Sequence, residues 1–292
     1  MKKTLAMMTA AMMVAGALAG CGSSSSTPAA TTAAATDAAT TETATTEAGD
    51  TAAAAEGTVK TPSGKFTVGF DQEFPPMGFV GDDGQFTGFD LDLAKEVASR
   101  LGLEFVPQPI NWDAKDMELD SGNIDCIWNG FTMQGREDAY TWVGPYMANN
   151  QVFVVNADSD IASKADLAGK AVEVQKDSSG LAALQSETEL SASFGSMTEV
   201  ADYNTALMDL ESGACDAVCM DSIVAGYQIK SSGKDMKILD DTLSAEEYGI
   251  GFKKGEDELA KAVYDTLMEM KDDGTVAKIS NDWFGSDVFT LK

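Results

Sequence analysis

Residues 125–146 read DCIWNGFTMQGREDAYTWVGPY, and the rest of the chain is organised around this stretch. It predicts a short strand, a glycine-containing turn that holds Thr132 and Arg136, and a second, aromatic strand. An arginine beside a hydroxyl group and free backbone N–H groups suits a carboxylate, because its guanidinium group can bond to both oxygens at once. From these residues alone, a surface ion pair of Arg136 with Glu137 or Asp138 explains the arginine equally well.

Strands and helices alternate through the rest of the chain. Strands are predicted at 66–70, 103–106, 124–128, 151–155, 171–175, 215–220, 236–239 and 248–252. Helices are predicted at 90–101, 113–121, 163–168, in the 180s, at 201–213, from residue 222 and near the C-terminus, with Asp90 and Asp221 as N-caps. Such alternation predicts an α/β fold in which helices cover parallel sheets on both faces.

Polar groups follow four of these strands. Ligands bind at the carboxyl ends of strands in open α/β sheets. The residues at these ends are Asp71 and Phe74, Thr132 and Arg136, Ser178 and Ser179, and Asp221. Because these residues are expected to lie together at the carboxyl ends of the strands, they predict a binding site there.

Composition limits the classes of function. The chain has 292 residues, with 20 Lys+Arg, 47 Asp+Glu and no histidine. A formal net charge of -27 argues against nucleic acid and anionic membrane surfaces as direct partners. The lack of histidine excludes Ser-His and Cys-His nucleophile pairs and histidine-based metal sites. Cys126, Cys215 and Cys219 lie in apolar runs without metal spacing, so we expect no metal and no cofactor.

Residues 1–20 are predicted to be an export signal, because Lys2 and Lys3 precede an apolar segment too short to span a bilayer. The sequence Leu-Ala-Gly-Cys at residues 18–21 resembles a bacterial lipobox, which implies that Cys21 is lipidated; a chance cysteine in an ordinary signal peptide is the alternative. Residues 21–59 are rich in Ser, Thr and Ala and are expected to be a disordered linker. The protein is therefore expected on the outer face of the cell membrane, held there through its lipid anchor only.

Several segments, in this order and spacing, resemble the extracytoplasmic solute-binding proteins of polar amino-acid ABC importers, bacterial solute-binding protein family 3. The segments are FDQEFPPMGF, GFDLDLAKEVASRLG, SGNIDCIWNGFT with GRED, VGPY, DLAGKAVEVQ, GACDAVCMDS, YGIGFKKG and a GT…DWFG tail, over about residues 65–284. The resemblance implies a two-lobe, type II periplasmic-binding-protein-like fold, in which two parallel-rich sheets with flanking helices are joined by a two-strand hinge. Lobe 1 is expected at 60–147 plus 250–292, lobe 2 at 152–245, and the hinge at 148–151 and 246–249.

The resemblance also implies a site between the lobes. Thr132 and Arg136 would bind the ligand's carboxylate, with backbone N–H support near Asn129 and Gly130. This chain places the arginine four positions after the threonine, where relatives more often place it five positions after.

The opposite lobe would supply Asp221 for the α-ammonium, and Ser178 and Ser179 in a turn that meets the carboxylate. Relatives usually carry glycine in this turn where this chain has Asp177. A helix cap is the competing role for Asp221, which could also fill both roles, and serine-rich turns are common in any fold.

The side-chain pocket would include Asp71, with aromatic packing from Phe74 and Trp112. Aspartate is ordinary in the turn that follows residue 70, and both aromatic residues could belong to the core. Asp71 suits the polar end of Gln, Arg, Lys or cystine, whereas the lack of a second obvious cation argues against Glu and Asp as ligands.

The predicted function is that of a monomeric binding lipoprotein, not an enzyme, which delivers a polar amino acid to an ABC permease. One alternative is a small-acid dehydratase or lyase of the same fold, with Asp71 and Glu73, or Asp177, as acid–base groups. Another is an amino-acid-sensing surface lipoprotein without a permease.

Overall fold

A computed structural model of the chain describes Thr61 and residues 63–292. The predicted signal peptide at 1–20, the lipidation site Cys21 and the predicted linker at 21–59 lie outside the described residues. None of the helices in the described part has the length and apolar character needed to cross a membrane.

Strands and helices alternate as predicted. The strands are β1 (Lys65–Phe70), β2 (Glu73–Phe74), β3 (Gly78–Val80), β4 (Phe86–Thr87), β5 (Glu104–Pro109), β6 (Cys126–Thr132), β7 (Tyr140–Asn156), β8 (Ala171–Gln175), β9 (Ser196–Val200), β10 (Ala217–Asp221), β11 (Met236–Ile238) and β12 (Ser244–Lys253). The helices are α1 (Phe89–Leu101), α2 (Lys115–Asp120), α3 (Ser179–Ser186), α4 (Thr188–Ser193), α5 (Tyr203–Ser212), α6 (Ser222–Ser232), α7 (Asp257–Asp272) and α8 (Thr275–Phe284). The α/β class predicted from the sequence is confirmed.

The main sheet has the order β5-β1-β6-β12-β7-β10-β8-β9, and β11 pairs with β7. At one end β1 runs parallel to β5 and β6, and at the other β8 runs parallel to β9 and β10. We call the body around β1, β5 and β6 lobe 1 and the body around β8, β9 and β10 lobe 2. Between them β7 and β12 pair antiparallel over their length, from Tyr140 opposite Lys253 to Gln151 opposite Ser244.

β7 differs from its prediction. The sequence predicted two strands separated by a hinge segment, whereas β7 is one strand of 17 residues. The reason is that β12 gives it a partner across the gap, where Asn149 lies opposite Glu246. The predicted lobe and hinge boundaries stay a prediction.

The core of each lobe is apolar. In lobe 1, Val68 of β1 packs in one buried cluster with Leu93 and Val97 of α1. In lobe 2, Val172 and Leu184 belong to another. Burying side chains of this size contributes about 1.5–3 kcal/mol each.

Two local predictions were wrong. Asp90 does not cap α1, because Gly88 takes the N-cap position and Asp90 lies fully buried in the first turn. The strand β9 was not predicted, because its sequence SMTEV is polar and the strand is almost entirely exposed at the edge of the sheet.

Candidate functional site

The predicted site residues lie in the cleft between the lobes, and hydrogen bonds cross it. Thr132 at the end of β6 donates through Oγ1 to Ser179 Oγ at the start of α3, at 3.2 Å. Gln175 Nε2 at the end of β8 donates to Asp71 Oδ2 just after β1, at 2.7 Å. The parallel strands of each lobe thus bring their carboxyl ends to opposite walls of one cleft.

Arg136 is held with its guanidinium group against lobe 2. Its Nη1 donates to the Thr132 carbonyl at 3.2 Å and its Nη2 to the Asp177 carbonyl at 3.4 Å. The group also lies over the ring of Phe131, 5.1 Å from its centroid. Within the described residues Arg136 forms no ion pair with Glu137 or Asp138, so the surface-pair alternative is wrong.

The turn before α3 adopts a left-handed backbone of the kind that glycine favours. Asp177 has φ 55°, in the left-handed region. Ser178 caps α3, because its Oγ accepts from the Leu181 N–H at 3.1 Å. Ser179 is left to face the cleft.

Lys115 is a site neighbour that sequence reasoning missed. Its side chain is 2% exposed and forms an ion pair with the carboxylate of Asp177. It also donates to the carbonyls of Trp112 and Asp177, both at 3.4 Å, and its Nζ lies 5.2 Å from the centroid of the Trp112 ring. The expectation that the cleft holds no second cation is therefore wrong.

Trp112 stands half-buried beside this lysine and packs edge-on against Phe131 at 5.5 Å. It lines a cavity of about 900 Å³ whose charged lining residues are all carboxylates except Lys176. Asp71 and Glu73 line the same cavity from lobe 1, and Asp202 lines it from lobe 2.

Asp71 is a buried carboxylate. Its Oδ1 accepts from the Glu73 N–H at 2.9 Å, and its own N–H donates to Asn129 Oδ1 at 3.0 Å. Burial raises its pKa to about 6, and the charges of Asp202 and Glu73 act in the same direction. Asn129 therefore positions Asp71 through the backbone.

Gly130 forms a crowded left-handed turn with φ 58°. A Cβ there would lie 2.9 Å from Phe74 Cε1 and 3.1 Å from the Tyr248 ring. Its N–H donates to Asp90 Oδ2 at 2.7 Å, so the expectation of a free N–H at Gly130 is wrong. Asp90 also accepts from the Tyr146 hydroxyl at 2.8 Å, and burial raises its pKa to about 7.

Phe74 is 6% exposed, and its ring centroid lies 5.8 Å from that of Tyr203. It packs between the Gly130 turn and lobe 2. The Phe74 ring therefore belongs to the apolar core and also lies beside the cleft.

Asp221 precedes α6 but does not cap it with its side chain, contrary to the prediction. Its Oδ1 accepts from the Tyr248 hydroxyl at 2.7 Å and from Asn149 Nδ2 at 2.6 Å, and its Oδ2 accepts from the Tyr203 hydroxyl at 3.1 Å. Burial first, and then the charge of Glu246, raise its pKa to about 7.

Glu246 of β12 was placed in the predicted hinge and was not predicted to be a site residue. It is 5% exposed. Its Oε1 accepts from Asn149 Nδ2 at 2.7 Å, from Gln151 Nε2 at 2.9 Å and from Ser179 Oγ at 3.4 Å. Among the described residues the cleft therefore holds the Arg136 guanidinium group with hydroxyls beside it, the Lys115 ammonium group, and the three buried carboxylates of Asp71, Asp221 and Glu246.

Comparison with known proteins supports one family. The family model of the bacterial extracellular solute-binding proteins, family 3, matches residues 66–286. The L-cystine-binding protein of Escherichia coli K12 is 33% identical over 231 residues, which cover 77% of this chain and 84% of that protein. The L-cystine-binding protein of Bacillus subtilis is 32% identical over 229 residues, covering 77% and 83%.

Solved structures agree. An ABC uptake transporter substrate-binding protein from Streptococcus pneumoniae with bound histidine matches with a TM-score of 0.76 and 34% identity, covering 78% of this chain and 96% of that one. An ancestral arginine-binding protein bound to arginine matches with a TM-score of 0.71 and 36% identity, covering 76% and 99%.

Proposed function

Because this chain belongs to the bacterial extracellular solute-binding proteins of family 3, whose members are binding proteins, we propose that it binds a polar amino acid between its two lobes and delivers it to an ABC permease. The fold is the two-lobe, type II α/β fold of that family. In such folds ligand binds best to the closed form and shifts the equilibrium toward it.

One observation carries this proposal: opposite charges converge in the cleft. Arg136 and Thr132 on lobe 1 suit a carboxylate, because a guanidinium fork and a hydroxyl can both donate to its oxygens. Asp221 on lobe 2, which is 3% exposed, suits an ammonium. The hydroxyl of Ser179 would also bind the ligand's carboxylate, because its Oγ lies 3.2 Å from Thr132 Oγ1.

The remaining predicted residues would shape this site. Asp71 would accept the polar end of the ligand's side chain, with Phe74 and Trp112 packing on its aliphatic part. Asn129, Gly130 and Ser178 would act by fixing the turns that carry these groups. Candidate ligands are glutamine, arginine, lysine and cystine.

The proposal includes the setting of the protein. The predicted lipidation of Cys21 would anchor a monomeric protein to the outer face of the membrane. It also includes the absence of catalysis, because the members of the family are binding proteins.

A thermal-shift screen of the purified protein against all amino acids and cystine tests the proposal. A ligand at 100 times its dissociation constant should stabilise the protein by about 2.7 kcal/mol, which shifts the midpoint by several degrees. Arg136→Ala should abolish the shift. Arg100→Ala is the matched control, because Arg100 is the other arginine of the chain and contacts Glu96 and Asp273 outside the cleft. No shift with any amino acid, or an unchanged shift in Arg136→Ala, would refute the proposal.

A further inference from the structure

Glu246 occupies a central position that the family resemblance did not assign. It lies in β12, opposite Asn149 of β7, where the two lobes join. It accepts from Asn149 and Gln151 of β7 and from Ser179, so it links the two strands that join the lobes to the first turn of α3. All three donors are neutral.

Glu246 shares a cavity with the proposed carboxylate clamp. A cavity of about 350 Å³ is lined by Thr132, Arg136, Ser179 and Glu246, among others. Asp221 does not line this cavity, but it is a neighbour of Glu246, because Asn149 Nδ2 donates to both Asp221 Oδ1 and Glu246 Oε1. The carboxylate that faces the same space as Arg136 is therefore that of Glu246.

The charge of this carboxylate is uncompensated. Among the described residues, no lysine or arginine forms an ion pair with Glu246 or Asp221. Both side chains are at most 5% exposed, and the charge of Glu246 helps to raise the pKa of Asp221. Buried charges are ordinarily paired, since an unpaired one loses its hydration without replacement. A cation brought between them would satisfy both.

We propose that Glu246 is a ligand-binding residue that accepts the α-ammonium group, together with Asp221 and opposite the Arg136 that binds the carboxylate. This assignment rests on the proposed amino-acid binding and deepens it. Two carboxylates at the ammonium end favour a ligand that has an α-amino group, because a ligand without it binds more weakly and leaves both of them unpaired. Because Glu246 lies in β12, which joins the two lobes together with β7, binding of the ammonium group there would also favour closure of the lobes.

Calorimetric titration of the full protein tests the assignment with two ligands. The first is whichever of L-cystine, L-arginine, L-lysine and L-glutamine the parent binds. The second is the analogue of that amino acid in which hydrogen replaces the α-amino group. In Glu246→Gln, affinity for the amino acid should fall at least tenfold, while affinity for the analogue should be no weaker than in the parent, because the variant removes one of the two charges that the analogue leaves unpaired.

Glu247→Gln is the matched control, because it makes the same change at the next position, where the side chain is exposed. It should bind both ligands as the parent does. Glutamine at 246 keeps an oxygen acceptor for the three neutral donors, so the fold should persist. Should the variant fail to fold, Glu246→Asp retains the charge on a shorter chain and should still weaken binding of the amino acid alone.

The outcomes separate the two proposals. Parent-like binding of the amino acid by Glu246→Gln overturns the role of Glu246 and leaves the proposed function standing. Equal losses for the amino acid and its analogue show a purely structural role and also overturn it. A parent protein that binds no amino acid refutes both.

Discussion

Replacing Asp177 by asparagine should weaken ligand binding by favouring the open conformation. The carboxylate of Asp177 on lobe 2 pairs with Lys115 on lobe 1, and the pair joins the lobes across the cleft. Asparagine is almost the same size and tolerates the left-handed φ of 55° that residue 177 adopts. The substitution therefore removes a charge and little else.

The magnitude follows from the unequal exposure of the two partners. The Lys115 side chain is 2% exposed and that of Asp177 is 51% exposed. Breaking a fully buried pair costs about 3–5 kcal/mol, because the remaining charge is buried alone. Lys115 would keep two carbonyl contacts at 3.4 Å, so we expect about 1.5–3 kcal/mol, typical of a hydrogen bond to a charged group. That cost falls on the closed state and corresponds to an affinity loss of about 10- to 150-fold.

The chain contains its own control. Lys176 and Asp113 form a second ion pair between the same two segments, at 2.6 Å, but their side chains are 56% and 40% exposed. An exposed pair is worth about 0.2–1 kcal/mol, so Asp113→Asn should cost less than about fivefold in affinity. Salt should erase the effect of Asp113→Asn and leave most of that of Asp177→Asn, because buried pairs are screened much less.

Calorimetric titration of the parent and both variants at low and high salt measures these effects. Small-angle scattering of the ligand-free proteins reports whether Asp177→Asn is more open. If Asp177→Asn loses no more affinity than Asp113→Asn, the buried pair does not control closure and this reasoning is wrong.

Three further substitutions or conditions probe the site. Affinity for an amino acid should fall by up to about tenfold per pH unit below about 7, because the pKa of Asp221, raised to about 7 by burial and by Glu246, leaves it protonated there; a flat affinity profile between pH 8 and 5 contradicts this. The thermal midpoint of the ligand-free protein should fall as pH rises from about 4 to 7. The reason is that the pKa of Asp90 is raised to about 7 in the folded protein, so protonation of Asp90 stabilises the folded state below that pH. Asp90→Asn should therefore make the thermal midpoint depend less on pH in calorimetric scans. Gly130→Ala should destabilise the protein by about 1–2 kcal/mol from its φ of 58° alone, and by more if Phe74 cannot move; urea unfolding that matches the parent would show that the turn is not strained by a Cβ.

Much of the fold could be predicted from the sequence because its signals are local. Alternating apolar strands and amphipathic helices indicate the α/β class, and that class places polar groups at the carboxyl ends of strands. Asp71 and Thr132 were located in this way, and the structure brings both into contact with lobe 2 through Gln175 and Ser179. The single long strand β7 was not predictable, because its continuity depends on β12, far along the chain.

Asp90 and Asp221 show where local signals mislead. An aspartate at the start of an amphipathic helix usually caps it, and both residues were predicted to do so. Instead Asp90 accepts from Tyr146 and the Gly130 N–H, and Asp221 accepts from Tyr248. The local sequence is the same whether such an aspartate caps its own helix or accepts a hydrogen bond from a tyrosine far away in the chain, so the sequence does not distinguish the two.

Lys115 and Glu246 were missed for a related reason that bears on function. Each lies in a segment that reads as a protein surface, and each is buried by residues far away in sequence: Asp177 is 62 positions from Lys115, and Asn149 is 97 from Glu246. In a protein whose lobes separate, a charged side chain at the cleft is hydrated in the open form and desolvated in the closed one. Such positions need residues that water tolerates, so they resemble an ordinary surface in the sequence. The loss of hydration at these charged side chains opposes closure of the lobes. An amino acid carries both a carboxylate and an ammonium group, so it can offset this cost at Arg136 and at Glu246 at the same time. Closure therefore depends on a zwitterionic ligand.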